Sequence, residues 1–158
     1  MKKVKIQNRY IYRWLCTVLL CLLVTVMFFA VWFEFVEDHN QTTNLTGLGN
    51  LGMAAGIYIV LYYIIGRALK AYGIGVYRKA NLLASQVMTI FAVHVTELFI
   101  SCAITGQFRF FTQFLWIYIL LGIAQSIVVI FTTIFLVDLY RKLFKPQQIL
   151  EVYGGESC

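Results

Sequence analysis

Long apolar runs alternate with short polar segments along the chain, and the pattern contains four such runs. Each run is about the twenty residues that a helix needs to cross the hydrocarbon core of a bilayer. A backbone surrounded by lipid must satisfy its own hydrogen bonds, so each run is expected to be helical. The pattern predicts an all-α membrane protein whose spans lie at about 14–36, 51–69, 80–104 and 113–137.

The first apolar run follows a basic segment, an arrangement that secretory signal peptides also have. The run from Trp14 to Phe33 is a full bilayer crossing, and no small-residue cleavage site follows it. We therefore predict that it remains in the membrane as an anchor.

Short connections between the spans favour antiparallel neighbours, so residues 1–142 are predicted to form a four-transmembrane-helix antiparallel bundle. Gly52 and Gly56 form a GxxxG motif in the second span, which permits close helix approach. Helix packing within the bundle is the interpretation that we favour. Self-association into a homo-oligomer through this motif is the alternative.

The basic residues set the predicted orientation. Of the 13 Lys and Arg residues, all except Arg109 lie before the first span, between the second and third spans, or after the fourth. By the positive-inside rule, both termini are predicted to be cytoplasmic. The end of the second span and the segment that follows it supply candidates for contact with lipid headgroups or for docking a soluble domain, namely Arg67, Lys70, Arg78 and Lys79.

Composition agrees with a membrane location, because 61% of the residues are hydrophobic and only 13% are charged. A soluble domain carries about 25% charged residues. The net charge of +6 would suit a nucleic-acid-binding protein, but the positive residues flank apolar spans, where they meet lipid headgroups. We therefore expect the lipid bilayer as a partner and no nucleic acid.

Two ionisable residues inside the third span, His94 and Glu97, form a candidate intramembrane polar pair. Their spacing of three residues places them on one helix face. An ionisable group in lipid is costly and suggests function, here a proton relay or a polar contact for a lipid phosphate. The structural alternative is a pair that bonds to each other or to Gln125. We favour the structural alternative, because a single pair makes no pathway.

Catalytic motifs are missing from the sequence. It contains no Ser/His/Asp or Cys/His set, metal-ligand cluster, P-loop or GxGxxG motif. We therefore assign no catalytic, cofactor-binding or metal-binding residue, and we expect this chain alone to be inactive as an enzyme.

The segment after the fourth span has a different character. Pro146 is followed by the apolar-rich run Ile149–Tyr153 and then by two glycines. Such a pattern is typical of the first strand and tight turn of a soluble α/β domain. We interpret residues 143–158 as a linker and the truncated start of that domain.

Two segments carry a resemblance to a known family. The first reads IGVYR at residues 74–78 and NLLASQ at residues 81–86, and the second reads LFKPQQILEVYG at residues 143–154. Together with the four-span layout, they resemble the membrane region of the bacterial polyprenyl-phosphate glycosylphosphotransferases. The chain departs from the family pattern at Val76, where Tyr is usual, at Asn81, where an acidic residue is usual, and at Gln147 and Gln148, which replace a basic pair.

The resemblance implies a sugar transferase of the bacterial inner membrane that initiates exopolysaccharide or capsule synthesis. Such enzymes move a sugar-1-phosphate from a nucleotide sugar to undecaprenyl phosphate, so polyprenyl phosphate is an implied partner. In the larger members, a Rossmann-like module and a catalytic domain that uses Mg²⁺ follow the membrane region. Residues 143–158 would then begin the Rossmann-like module, and none of the family's catalytic residues can be assigned to this chain.

Two alternatives stay open. A self-contained four-span carrier for lipid-linked sugars, a flippase of the GtrA-like kind, would make His94 and Glu97 functional. A purely structural interaction subunit is the third possibility.

Overall fold

A computed structural model describes residues 2–36, 48–105 and 111–144, and within them the chain folds into four helices without strands. The bounds are α1 Lys2–Val31, continued by a π-helical turn at Trp32–Val36, α2 Leu48–Ala68, α3 Lys79–Thr105 and α4 Phe111–Leu143. The all-α prediction is thus confirmed for these residues. The strand predicted after Pro146 and the sequence up to Cys158 lie outside them.

Three helices are long and apolar enough to cross a membrane, over Gln7–Glu34, Lys79–Ala103 and Phe111–Leu143. The apolar part of α2 whose side chains are described, Gly52–Ala68, is shorter than these three. The length and composition of the three longer helices indicate a membrane protein.

The helices α1 and α4 extend beyond the apolar runs from which the spans were predicted. The helix α1 begins at Lys2 and α4 ends at Leu143, whereas the predicted spans begin at 14 and end at 137. Neither extension contains Gly or Pro, and Lys and Arg favour helix, so the helix continues where the apolar run stops.

Each helix packs against its neighbours in sequence, and α4 closes the ring by packing against α1. The contacts show that neighbouring helices run antiparallel. At one end of the bundle, the Tyr12 hydroxyl donates to the Leu136 carbonyl at 2.8 Å. Further along, the rings of Phe28 and Tyr58 stack with centroids 4.2 Å apart. The chain therefore forms an up-down-up-down four-helix bundle over its described residues.

The bundle is apolar on the outside, and its apolar core also buries a set of polar residues. Large apolar side chains face outward, with Phe91 71% exposed and Phe131 70% exposed. The buried polar residues are Gln86, Thr89, His94, Glu97, Ser101, Gln125 and Thr133. An apolar exterior of this extent is expected where lipid is the solvent.

Hydrogen bonds between buried side chains tie the four helices together. The Tyr58 hydroxyl of α2 donates to Gln125 Oε1 of α4 at 2.7 Å, and Gln125 Nε2 donates to the Val24 carbonyl of α1 at 2.9 Å. Trp32 Nε1 donates to Ser101 Oγ of α3 at 3.1 Å, and Ser101 Oγ also bonds to the Tyr118 hydroxyl of α4. Polar residues in apolar helices thus hold the bundle together.

Candidate functional site

The segment that carries the family resemblance lies at the end of the bundle where α1 begins, α2 ends, α3 begins and α4 ends. We call this region the basic end. Its cationic residues with described side chains are Arg9, Arg13, Arg67, Lys70, Arg78, Lys79, Arg141 and Lys142.

A glycine shapes the loop of the basic end between α2 and α3. Gly75 has a φ of +77°, a backbone conformation that favours glycine. A Cβ at this position would also overlap the ring of Tyr140 on α4. The neighbouring Ile74 is buried beneath the loop, with 1% of its surface exposed. Glycine is therefore needed at position 75 for both the backbone conformation and the close approach of α4.

Gln86 joins this loop to α4. Its Nε2 donates to the Ala71 carbonyl in the loop at 3.1 Å, and its Oε1 accepts from Thr133 Oγ1 of α4 at 2.8 Å. Gln86 is fully buried, so both bonds are shielded from solvent. The residues of the resemblance thus include two that fix the loop, Gly75 and Gln86.

Aromatic rings pack among the cations at the basic end. The Arg13 guanidinium donates to the Tyr140 hydroxyl at 3.4 Å and lies 5.9 Å from the centre of its ring. The Tyr72 hydroxyl donates to the Tyr62 carbonyl at 2.7 Å. Tyr72 lies in the loop, outside the membrane-spanning segments, and burial raises the pKa of its hydroxyl above the usual value. Tyr72 is therefore a neutral hydrogen-bond donor near neutral pH.

The four predicted headgroup or docking residues have different surroundings. Arg67 is exposed and donates to the Tyr63 hydroxyl at 2.9 Å. Lys70 is exposed, with its ammonium 5.9 Å from the centre of the Tyr77 ring. Arg78 is also exposed. Lys79 instead forms an ion pair with Asp138 of α4.

Three of these cations, Arg67, Lys70 and Arg78, thus present positive charge on the surface, whereas Lys79 links α3 to α4. Sequence reasoning missed the partner of Lys79, although Asp138 directly follows the predicted fourth span and precedes its basic residues.

The intramembrane pair lies in a second region, the polar centre, formed by Tyr58, His94, Glu97, Tyr118 and Gln125. His94 Nδ1 lies 2.8 Å from the Ile90 carbonyl of its own helix, and the Nε2 atom is buried without a hydrogen-bond partner. Both carboxyl oxygens of Glu97 are also buried without one among the described residues. Within the described chain, His94 and Glu97 therefore bond neither to each other nor to Gln125, which bonds to Tyr58 and Val24.

An ionisable group that is buried without a partner is costly, because its polar atoms lose water and gain no bond in return. The hydroxyls of Tyr58 and Tyr118 already have partners in Gln125 and Ser101. The imidazole of His94 packs edge-on against the rings of Tyr58 and Tyr118 at 5.9 and 5.8 Å. The polar centre therefore contains unpaired polar atoms that can bind a proton or a hydrogen-bonding ligand.

Gly52 and Gly56 do not serve close helix approach inside the described part of the chain. A Cβ built on either residue meets no atom within 4 Å. The interpretation that we favoured, packing within the bundle, therefore gains no support, and contact between copies stays a prediction.

No group of three or more His, Cys, Asp or Glu side chains that could hold a metal ion occurs in the described ranges. Comparisons with protein-family models, with curated proteins and with solved structures find no match to this chain. Its function is therefore inferred from its own residues.

Proposed function

We propose that this chain is the membrane region of a polyprenyl-phosphate glycosylphosphotransferase. It spans the bacterial inner membrane four times with both termini cytoplasmic, and it anchors a cytoplasmic Rossmann-like module and a catalytic domain that uses Mg²⁺. The assembled enzyme transfers a sugar-1-phosphate from a nucleotide sugar to undecaprenyl phosphate.

The observation that carries the proposal is the structure of the loop at the basic end. Part of the resemblance rests on IGVYR and on the Ser-Gln pair of α3. Gly75 of the first motif allows α4 to approach, and Gln86 of the second bonds the loop to α4. Motifs that resemble a family and also build one local structure support a common architecture more strongly than matching letters alone.

The charges of the basic end support its orientation and its partner. Arg67, Lys70 and Arg78 are exposed around the loop. Cations that flank apolar helices favour the cytoplasmic side and attract anionic headgroups, at about 1 kcal/mol for each basic residue near the surface. A polyprenyl phosphate is an anionic lipid, and a docked cytoplasmic domain would find the same cations within reach.

A domain exchange tests this function. The cytoplasmic part of a transferase of this family, joined after Phe144 of this chain, is expected to transfer sugar phosphate to undecaprenyl phosphate in isolated membranes. The matched control joins the same cytoplasmic part to an unrelated four-helix anchor of the same orientation. The proposal fails if the control is active while the chimera inserts and is inactive.

The reading frame after codon 158 gives an independent test. We expect the frame to encode a Rossmann-like module followed by a transferase domain. An immediate stop codon followed by unrelated sequence would contradict the proposal and favour a self-contained protein.

A second candidate function, a carrier for lipid-linked sugars, is favoured by one observation. Within residues 2–36, 48–105 and 111–144, His94 Nε2 and the Glu97 carboxyl are buried without partners, as expected for groups that bind a ligand or a proton during transport. If the chain is a transferase anchor, replacing both residues by Asn and Gln should leave sugar-phosphate transfer nearly intact in the full-length enzyme. Loss of transfer at normal expression would instead assign a function to the pair.

A further inference from the structure

Glu97 is an acidic side chain sealed inside the bundle. None of its surface is exposed, and within the described helices neither carboxyl oxygen accepts a hydrogen bond. An ionised carboxylate in such a place loses its water and gains no bond in return, which makes its charge costly. The proposed transferase function does not use this group, so its burial needs an explanation of its own.

The side chains that face Glu97 from α2, α3 and α4 carry no positive charge. Tyr58 of α2 and Tyr118 of α4 lie close enough to interact electrostatically with its carboxyl. Phenol side chains are neutral near neutral pH. His94 lies one turn earlier on α3, and its ring packs edge-on against both tyrosines. The two tyrosines thus bring His94 and Glu97 into one set of contacts.

The segment that continues α1 supplies no charge at this level either. There Trp32, a neutral indole, donates to Ser101, which lies one turn after Glu97 on α3. The buried polar residues of the described chain include no Lys or Arg. Over the same ranges, Glu97 forms no ion pair. No cation in the described part of the bundle therefore compensates a charge on this carboxyl.

The unpaired atoms of His94 and Glu97 are both acceptors when Glu97 is ionised. His94 Nδ1 lies 2.8 Å from the Ile90 carbonyl, which can only accept a hydrogen bond, so Nδ1 carries the proton. In the neutral ring, Nε2 is then an acceptor, and it is buried without a partner in the described structure. An ionised carboxylate can also only accept. A bound proton would supply the donor that this face of α3 lacks.

Glu97 is the group on which that proton is best placed. A proton on His94 Nε2 would leave two buried charges, an imidazolium and a carboxylate, and the two side chains form no ion pair in the described structure. Buried charges that are not paired are strongly unfavourable. A proton on Glu97 leaves both groups neutral, and its O–H becomes a donor for a neighbouring acceptor.

The packing of the helices keeps this proton in place. Glu97 is covered by its own helix together with side chains of neighbouring helices, and no part of it reaches the surface. When the helices separate, the carboxyl meets water, in which a glutamate is ionised near neutral pH. Closing the bundle and binding the proton are therefore linked.

We propose that Glu97 is a proton-binding site that forms when the bundle closes. Near neutral pH, each chain takes up one proton as the helices pack, and this proton converts the carboxylate of Glu97 into the neutral carboxylic acid. When the helices separate, the proton returns to the water. This site is independent of the basic end and of the proposed transferase function.

Infrared spectroscopy of the full chain near neutral pH tests the protonation state. Maltoside micelles are used because this detergent contains no carbonyl group. A protonated carboxyl has a C=O stretching band that a carboxylate lacks, and we expect this band from the wild type. It should disappear in Glu97→Gln. The matched control is Glu34→Gln, which changes an exposed glutamate and should keep the band.

Proton release on unfolding tests the link with bundle closure. The chain is unfolded with sodium dodecyl sulfate in weakly buffered micelles near neutral pH, and an indicator dye reports the released protons. The wild type should release about one proton more per chain than Glu97→Gln. Glu34→Gln should release as many protons as the wild type.

Three results would overturn the proposal. The first is a wild-type spectrum without the acid band, which decides the matter whether or not the variants fold. The second is equal proton release from the wild type and Glu97→Gln. The third uses a chain with His39→Asn, in which His94 is the remaining histidine. A ¹⁵N spectrum of an imidazolium from this chain would place the proton on His94 instead.

Discussion

Two buried polar side chains, Gln86 at the basic end and Glu97 in the polar centre, differ in how completely their polar atoms are hydrogen-bonded. At the basic end, Gln86 uses its amide nitrogen and its amide oxygen, to Ala71 and Thr133. In the polar centre, Glu97 uses neither carboxyl oxygen. Buried groups with complete partners stabilise a fold, whereas buried groups without partners reduce stability and are retained where they serve another purpose. The four predictions below test that difference.

The largest effect is expected for Gly75→Ala at the basic end. The added Cβ forces a non-glycine residue into a positive-φ conformation and overlaps the Tyr140 ring. We expect a loss of about 2–4 kcal/mol in the free energy of unfolding. Unfolding in mixed micelles by titration with sodium dodecyl sulfate measures it.

The matched control for Gly75→Ala is Gly56→Ala, since the Cβ at position 56 meets open space. Alanine also favours a helix over glycine, so the control should gain up to about 1 kcal/mol. Equal losses in the two variants would show that Gly75 has no special role.

A smaller loss is expected for Gln86→Leu. The change keeps the size of the side chain but leaves the Ala71 carbonyl and the Thr133 hydroxyl without their partner. We expect a loss of about 1–3 kcal/mol, measured by the same unfolding titration. If the loss of stability disappears in the double variant with Thr133→Val, the unpaired Thr133 hydroxyl is its cause.

Glu97→Leu, the corresponding change in the polar centre, should cost nothing. The carboxyl oxygens have no partner to lose, so an apolar side chain of similar size removes an unsatisfied group. We expect unchanged stability or a gain of about 1 kcal/mol. If Glu97→Leu lost as much stability as Gln86→Leu, the contrast between the two side chains would be wrong.

The smallest effect is expected for Lys79→Gln, which breaks the ion pair with Asp138. The two side chains are 34% and 49% exposed, so water and salt screen their interaction. We expect a small change in the unfolding midpoint that vanishes at high salt. A change that persists in 1 M salt would mean that the pair is shielded from solvent.

The apolar runs were sufficient to predict four helices, because a chain in lipid has few alternatives to helix. They did not predict the ends of α1 and α4, since a helix continues through polar residues that favour it. The pairing of His94 with Glu97 was inferred from a shared helix face. In the structure, His94 instead bonds to the Ile90 carbonyl of its own backbone.

Partners across the bundle could not be read from one sequence either. Gln125 bonds to Tyr58 and Val24 because of the way α4 is rotated about its axis. That rotation cannot be read from the sequence, since the apolar faces of the four helices look alike there. The GxxxG motif has the same limitation, because its spacing says that a close neighbour is permitted but not which helix supplies it.

The hydrogen bonds of Gln125 bear on how the bundle is assembled during synthesis. Gln125 belongs to α4, which leaves the ribosome after the other three helices, yet it supplies the acceptor for the Tyr58 hydroxyl of α2. Until α4 enters the membrane, that hydroxyl has to find another partner in lipid. We therefore expect α1, α2 and α3 to associate loosely at first. Insertion of α4 should then fix the packing of all four helices in a single step.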